Sequence, residues 1–325
     1  MKCQSVSFMG LVHLCARQEN MSMVAIRLLR NRNFLLTLSL VLGLVIGKPG
    51  ATLTQPMVLP LLGLVMVMST LTISARQFTS VRKVFHIVLY SLLLNYVLLG
   101  GVILLLAKFF ILDYELWVGF VVLALVPPAT AVVPFSYTLG GDVSFALVGM
   151  IGVYLAALII MPVGLVYLLG AQIFDPLNLL LILAELIVLP IIVARILVYL
   201  GVSRHIEPHR GSIVNWSLSI VTFTLIALNR QAFISDFDVL IRTGVIAIAT
   251  SFLLAYLLEV GARALRVKHD MTVSAIVMGT MKNWSMAGGL LLSLFSARST
   301  IPPAVSLFFA VFMVVWLGHH FRKPT

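Results

Sequence analysis

The chain has 325 residues, of which 61% are hydrophobic and only 10% charged, and its mean hydropathy is +1.12. A soluble fold carries about 25% charged residues to wet its surface, so lipid must solvate most of this chain and no sizeable soluble domain fits beside the apolar part. The net charge of +11 sits in short clusters between apolar runs, which excludes a nucleic-acid-binding patch and matches the positive-inside pattern of membrane proteins.

The first element is a polar, mixed arm, residues 1–33, with no apolar core before a cleavage site and hence no signal peptide. It holds both cysteines, Cys3 and Cys15, which have no CxxC or histidine partner at metal spacing. Met21 and Met23 precede the basic Arg27, Arg30 and Arg32, and residues 1–20 are expected to carry no function.

About 20 apolar residues cross a hydrocarbon core. Continuous runs of that kind, without the alternation of barrel strands, predict helices at 34–48, 56–75, 84–108, 116–139, 143–169, 177–200, 212–229, 239–262, 272–296 and 301–320. The expected fold class is an all-α membrane protein with a transmembrane domain over 34–320 and a short tail at 321–325. With the N-terminus in the cytoplasm, fifteen Lys and Arg fall on the inner side and five (Lys48, Lys108, Arg230, Arg242, Arg298) on the outer. That bias predicts ten spans in the cell (inner) membrane with both termini cytoplasmic.

Ten spans divide into two sets of five, and because five is odd the second set is inverted. Span four carries Pro127, Pro128 and Pro134; span nine carries Lys282-Asn283-Trp284-Ser285 followed by Gly288-Gly289. Proline removes a helix donor and glycine weakens a helix. Matched interruptions in two inverted halves point to a transporter site near the midplane, although proline and glycine also merely kink membrane helices.

Lys282 is the most informative residue, since a mid-span lysine costs about 2.5–3.5 kcal/mol on insertion scales. It either faces a cavity and a ligand or pins a broken helix by donating to freed carbonyls. Glu185 is the carboxylate well inside a span. It is read as a bundle-facing group bonded to hydroxyls, a partner for Lys282, or a proton relay. Arg195 is expected to snorkel. Asn95 and Asn283 are buried amides, as interhelical glue or as ligands. Thr130, Ser136 and Ser285 are polar groups beside the breaks, and Trp284 is a wall of the expected cavity or packing. The histidines lie at span ends, in loops or in the arm and read as solvated interface. No HExxH, GxSxG or Walker A string occurs, so neither an enzyme nor a cofactor or metal centre is expected. No ring of like charges suggests a channel.

Several local strings resemble the bile acid:sodium symporter superfamily over roughly residues 30–320. Leu71-Thr72-Ile73-Ser74 with Gln77-Phe78 and Val81-Arg82 is similar to that family's turn after span two. Thr130-Ala131 with Tyr137 and Gly141-Asp142 is similar to its fourth span and exit, and Met281-Lys282-Asn283 with Ala287 to its ninth. The resemblance implies a core of spans three to five and eight to ten, in which broken helices four and nine cross, and a panel of spans one, two, six and seven. Sodium-dependent members of the family hold two ions near the crossing through Ser, Asn, Thr, Glu and Gln side chains. Those places fall here on Val132, Val133, Ala146, Met150, Met278 and Lys282, which offer a hard cation no side-chain oxygen.

The expectation is therefore a secondary transporter of a small organic anion, sodium-independent, with Lys282 in place of the coupling cation and the lipid bilayer as its surroundings. Lys282, Asn283, Trp284, Ser285, Thr130, Val132, Val133, Ser136 and Met278 form its candidate site. A sodium symporter using backbone oxygens, and a receptor or scaffold that moves nothing, remain as alternatives.

Overall fold

The computed structural model describes residues 31–71, 81–170 and 172–321. The arm up to residue 30, the tail from 322, and most of the turn string at Thr72-Ile73-Ser74 and Gln77-Phe78 lie outside the described residues.

Twelve helices organise the described chain: α1 Arg32–Ile46, α2 Lys48–Thr70, α3 Val81–Phe110, α4 Tyr114–Leu125, α5 Val132–Thr138, α6 Val143–Leu169, α7 Pro176–Tyr199, α8 Ser203–Leu228, α9 Phe237–Ala264, α10 His269–Thr280, α11 Trp284–Leu294 and α12 Ile301–Phe321. No strand is present among the described residues. Among the described residues seven candidate spans are long and apolar enough to cross a bilayer: α2, α3, α6, α7, α8, α9 and the stretch Arg298–Phe321 that contains α12. Helices α1, α4 and α11 are apolar but shorter. Large apolar side chains stand on the outer surface, among them Val45 at 69%, Phe109 at 74% and Ile159 at 69% exposed. Water would not tolerate so continuous an apolar surface, so the chain is a multi-pass membrane protein.

Short polar residues set the helix starts. The side chains of Asn31, Asp113, Asp142, Asp175 and Asn283 accept backbone N–H groups of the first turns of α1, α4, α6, α7 and α11, satisfying donors that a helix leaves open. Gly47, at φ 67°, closes α1, and Pro49 opens α2 at once. The second apolar helix consequently starts at Lys48 rather than at residue 56. α8 starts at Ser203 rather than 212 and runs through Pro208; the Glu207–Arg210 pair (3.1 Å) lies in its polar first half.

The most extensive contacts fall in two sets, although α11 and α12 also meet α8. α8 packs along α1 and α2, and the second half of α7 packs along α2. Elsewhere α3 packs along α6, α9 along α12, and α10 against α3 and α6. Arg195, exposed on α7, donates to the Thr70 carbonyl at the end of α2. His320, 38% exposed in the last turn of α12, is stacked on Trp316 and lies 2.9 Å from the buried carboxylate of Glu259, which links α9 and α12.

Candidate functional site

The site begins where two helices stop. α4 ends at Leu125 because Pro127 and Pro128 have no N–H to continue its ladder, and the chain stays non-helical to Ala131. α10 ends at Thr280, and Met281 to Asn283 run extended before α11 begins. The two interruptions lie against one another as an antiparallel bridge between Pro128 and Lys282. The Ala129 N–H donates to the Met281 carbonyl (3.1 Å) and the Asn283 N–H to the Pro127 carbonyl (3.0 Å). Each break thus supplies the hydrogen bonds the other lost, which backbone in hydrocarbon requires.

Lys282 reaches from this bridge into the protein and is 1% exposed. Its Nζ donates to the Ala124 carbonyl (2.6 Å), the Val126 carbonyl (3.0 Å) and Asn95 Oδ1 (2.8 Å). An ammonium has three N–H bonds, and all three are directed at protein oxygens. Two of those oxygens terminate α4, the end of a helix dipole that favours a cation. The face of Tyr96 lies 4.8 Å from the same Nζ, a further attraction for a desolvated cation. Asn95 and Tyr96 sit on a π-helical stretch of α3, Leu93–Gly100, a distortion that commonly accompanies function. Gly100 lets α3 come this close: a Cβ there would stand 2.9 Å from the Ala124 oxygen.

Asn283 divides its amide between two tasks. Its Oδ1 caps α11 through the Met286 N–H (3.1 Å), and its Nδ2 donates to the Tyr154 hydroxyl (2.9 Å). Beside it lies a cavity of about 60 Å³ lined by Lys282, Asn283, Trp284, Ser285 and Thr130 together with residues of α1, α5, α8 and α12. Five expected site residues therefore come together. Val132, Val133, Ser136 and Met278 do not line that cavity; Val132, Ser136 and Met278 are fully buried, and the Ser136 hydroxyl has no partner among the described residues.

The freed carbonyls expected as acceptors for a lysine that pins a broken helix are those of Ala124 and Val126, and Asn95, expected as a buried amide, supplies the third oxygen. Arg32, Phe135 and Thr222 also line the cavity and were not singled out as site residues, because nothing local brings α1, α5 and α8 together. Glu185 lies on a second π-helical stretch, Ala184–Val188. It is exposed to a cleft of about 540 Å³ bordered by Gln55, Pro56, Gly289 and Ser293. It forms neither the ion pair with Lys282 nor the hydroxyl bonds weighed for it, among the described residues.

A multi-pass helical membrane protein whose polar groups converge on two facing helix breaks is built as a carrier. The chain matches the family described as Sodium Bile acid symporter family over residues 59–235, and it belongs to that family, whose members are transporters rather than enzymes. No curated protein matches the chain.

Proposed function

We propose that the chain is a secondary transporter of a small organic anion that works by alternating access without sodium, the Lys282 ammonium standing where relatives place a coupling cation. The observation that carries this reading is the triple donation from Lys282 to Ala124, Val126 and Asn95. A fixed positive charge held by helix-terminal carbonyls does the electrostatic work of a bound ion, and it cannot dissociate. Sodium coupling through backbone oxygens is disfavoured by the same geometry, because those oxygens are already occupied.

In this proposal α1, α2, α3, α4 with α5, and α6 are five spans, and α7, α8, α9, α10 with α11, and α12 are five more in inverted orientation, with both termini cytoplasmic in the cell membrane. Support comes from equivalent distortions. The third span of each set carries a π-helical stretch, Leu93–Gly100 and Ala249–Leu253, and the fourth carries the break. The two packing groups then serve as panel (α1, α2, α7, α8) and core. The candidate site is Lys282, Asn283, Trp284, Ser285 and Thr130, flanked by Val132, Val133, Ser136 and Met278, with Glu185 as a proton relay in the cleft. A 60 Å³ cavity is far below the roughly 300–1,000 Å³ of a ligand site, so the panel must move for a substrate to enter.

Gradient-driven uptake of labelled carboxylates into proteoliposomes tests this. Flux that is equal in sodium and choline media supports it. A sodium requirement overturns the coupling, and the absence of flux for every carboxylate favours a receptor or scaffold.

A further inference from the structure

The cavity beside the breaks holds a second cation, and unlike Lys282 it has no hydrogen-bond acceptor among the described residues. Arg32, in the first turn of α1, lines the cavity half-buried. Its guanidinium carbon lies 4.7 Å from the ring centre of Phe135 on α5, and no carboxylate or carbonyl accepts from it among the described residues. Stacking on an aromatic face leaves the N–H edges of a guanidinium free. The position is electrostatically awkward, since the N-terminus of a helix already carries partial positive charge; a bound anion would relieve it. Thr222 on α8 lines the same cavity, is 1% exposed, and its hydroxyl has no partner among the described residues. Most threonines buried in these helices, Thr224 and Thr280 for example, donate to the carbonyl four residues back. A buried hydroxyl without a partner costs about 1–3 kcal/mol.

We propose that Arg32, not Lys282, receives the negative group of the substrate, that the Thr222 hydroxyl donates a further hydrogen bond to it, and that the group is a carboxylate joined to an apolar body. The fork of a guanidinium matches a carboxylate bidentately. The cavity volume, about 60 Å³, exceeds the roughly 10–15 Å³ that a single water requires and leaves room for a carboxylate head. The remaining wall is largely apolar, with Leu36, Leu218, Leu307 and Val311, which suits an organic acid whose body is hydrocarbon. Lys282 would then set the potential of the site without touching the ligand. This inference deepens the reading of the chain as an anion carrier, yet it fails separately. Flux can persist with Arg32 removed, which would sink this assignment and leave the carrier intact.

Equilibrium binding of labelled 4-phenylbutyrate to the purified full chain is the test, with 4-phenylbutyramide as uncharged competitor. Wild type is expected to bind the acid with a Kd of about 1 mM or tighter and to ignore the amide. Arg32→Gln should weaken binding by about tenfold or more, a loss of one charge-assisted contact. Thr222→Val keeps the shape and should weaken binding several-fold. Arg32→Lys keeps the charge, loses the fork, and should fall between; it carries the test if Arg32→Gln does not fold. A lipid phosphate is the competing source of the same charge. Anionic lipid that co-purifies with wild type and is shed by Arg32→Gln, while the affinity for phenylbutyrate is unchanged, overturns the proposal. Wild-type protein that does not bind the acid, or binds acid and amide alike, overturns it as well.

Discussion

The ammonium of Lys282 and the carbonyl oxygen of Ala124 lie 2.6 Å apart, although 158 residues separate them in the chain. The contact joins the end of α4 to the break between α10 and α11, and two neighbouring acceptors on Val126 and Asn95 complete it. A lysine so placed holds together the two interruptions that define the site.

Replacement of Lys282 by methionine tests the structural side of that contact. Substituting a buried ion pair by apolar groups can be neutral, but here only the cation is removed and its acceptors stay. Each carbonyl left unsatisfied costs about 1–3 kcal/mol. Lys282→Met is therefore expected to lower the melting temperature by several degrees. An unchanged or higher melting temperature in a scanning fluorescence measurement would show that the acceptors are satisfied without it.

Adjacent glycines in α3 give a controlled pair. Alanine at Gly100 would bring its Cβ within 2.9 Å of the Ala124 oxygen, whereas a Cβ at Gly101 meets nothing within 4 Å. Gly100→Ala is expected to destabilise by about 1–3 kcal/mol through overpacking, while Gly101→Ala should be neutral or gain up to about 1 kcal/mol of helix propensity. Equal melting temperatures for the two variants would mean that α3 does not approach the break this closely.

Asp113 predicts a pH effect. Its carboxylate accepts from the Glu115 N–H (2.9 Å) and from the Arg298 guanidinium (2.8 Å). Burial pushes its pKa up, but Arg298 and the backbone N–H groups outweigh this and hold it below the usual value. A depressed folded-state pKa adds stability above the unfolded value of about 3.9 and loses it as the pH falls through the folded one. Thermal stability should therefore fall below about pH 4 in wild type with a smaller slope in Asp113→Asn. The group is a third exposed, so the pair contributes at most about 1 kcal/mol.

Glu185 separates a relay from a bystander. Without partners among the described residues, Glu185→Gln should shift stability by no more than about 0.5 kcal/mol. If the carboxylate relays protons, the same variant should lose the dependence of uptake on an imposed pH gradient while still binding substrate. Retained pH-driven uptake in Glu185→Gln would remove it from the pathway.

The membrane class and the family were legible in composition, apolar runs and a few short strings, because hydrocarbon demands long apolar helices whatever the tertiary contacts. The break after Leu125 was legible too, since Pro127 and Pro128 cannot donate. For Lys282 the kind of partner was legible, carbonyls freed by a break, but not which ones: two backbone oxygens and the Asn95 amide are brought together by the meeting of α3, α4 and the break before α11. Arg32 was hidden differently. As a basic residue at the start of a helix it reads as part of the charge bias at the inner surface, and only its position over Phe135 singles it out.

The central claim is that the Lys282 ammonium stands in a cation's place, and it is tested most directly on Lys282→Ala by comparing melting temperatures in sodium chloride and choline chloride at equal ionic strength. Removing the ammonium leaves the oxygens of Ala124, Val126 and Asn95 converging on an oxygen-lined space that suits a hard cation and water. Wild type should melt at the same temperature in both salts, and the variant should melt lower but be raised by sodium over choline. A sodium-stabilised wild type, or a variant as stable as wild type in choline, would contradict the account.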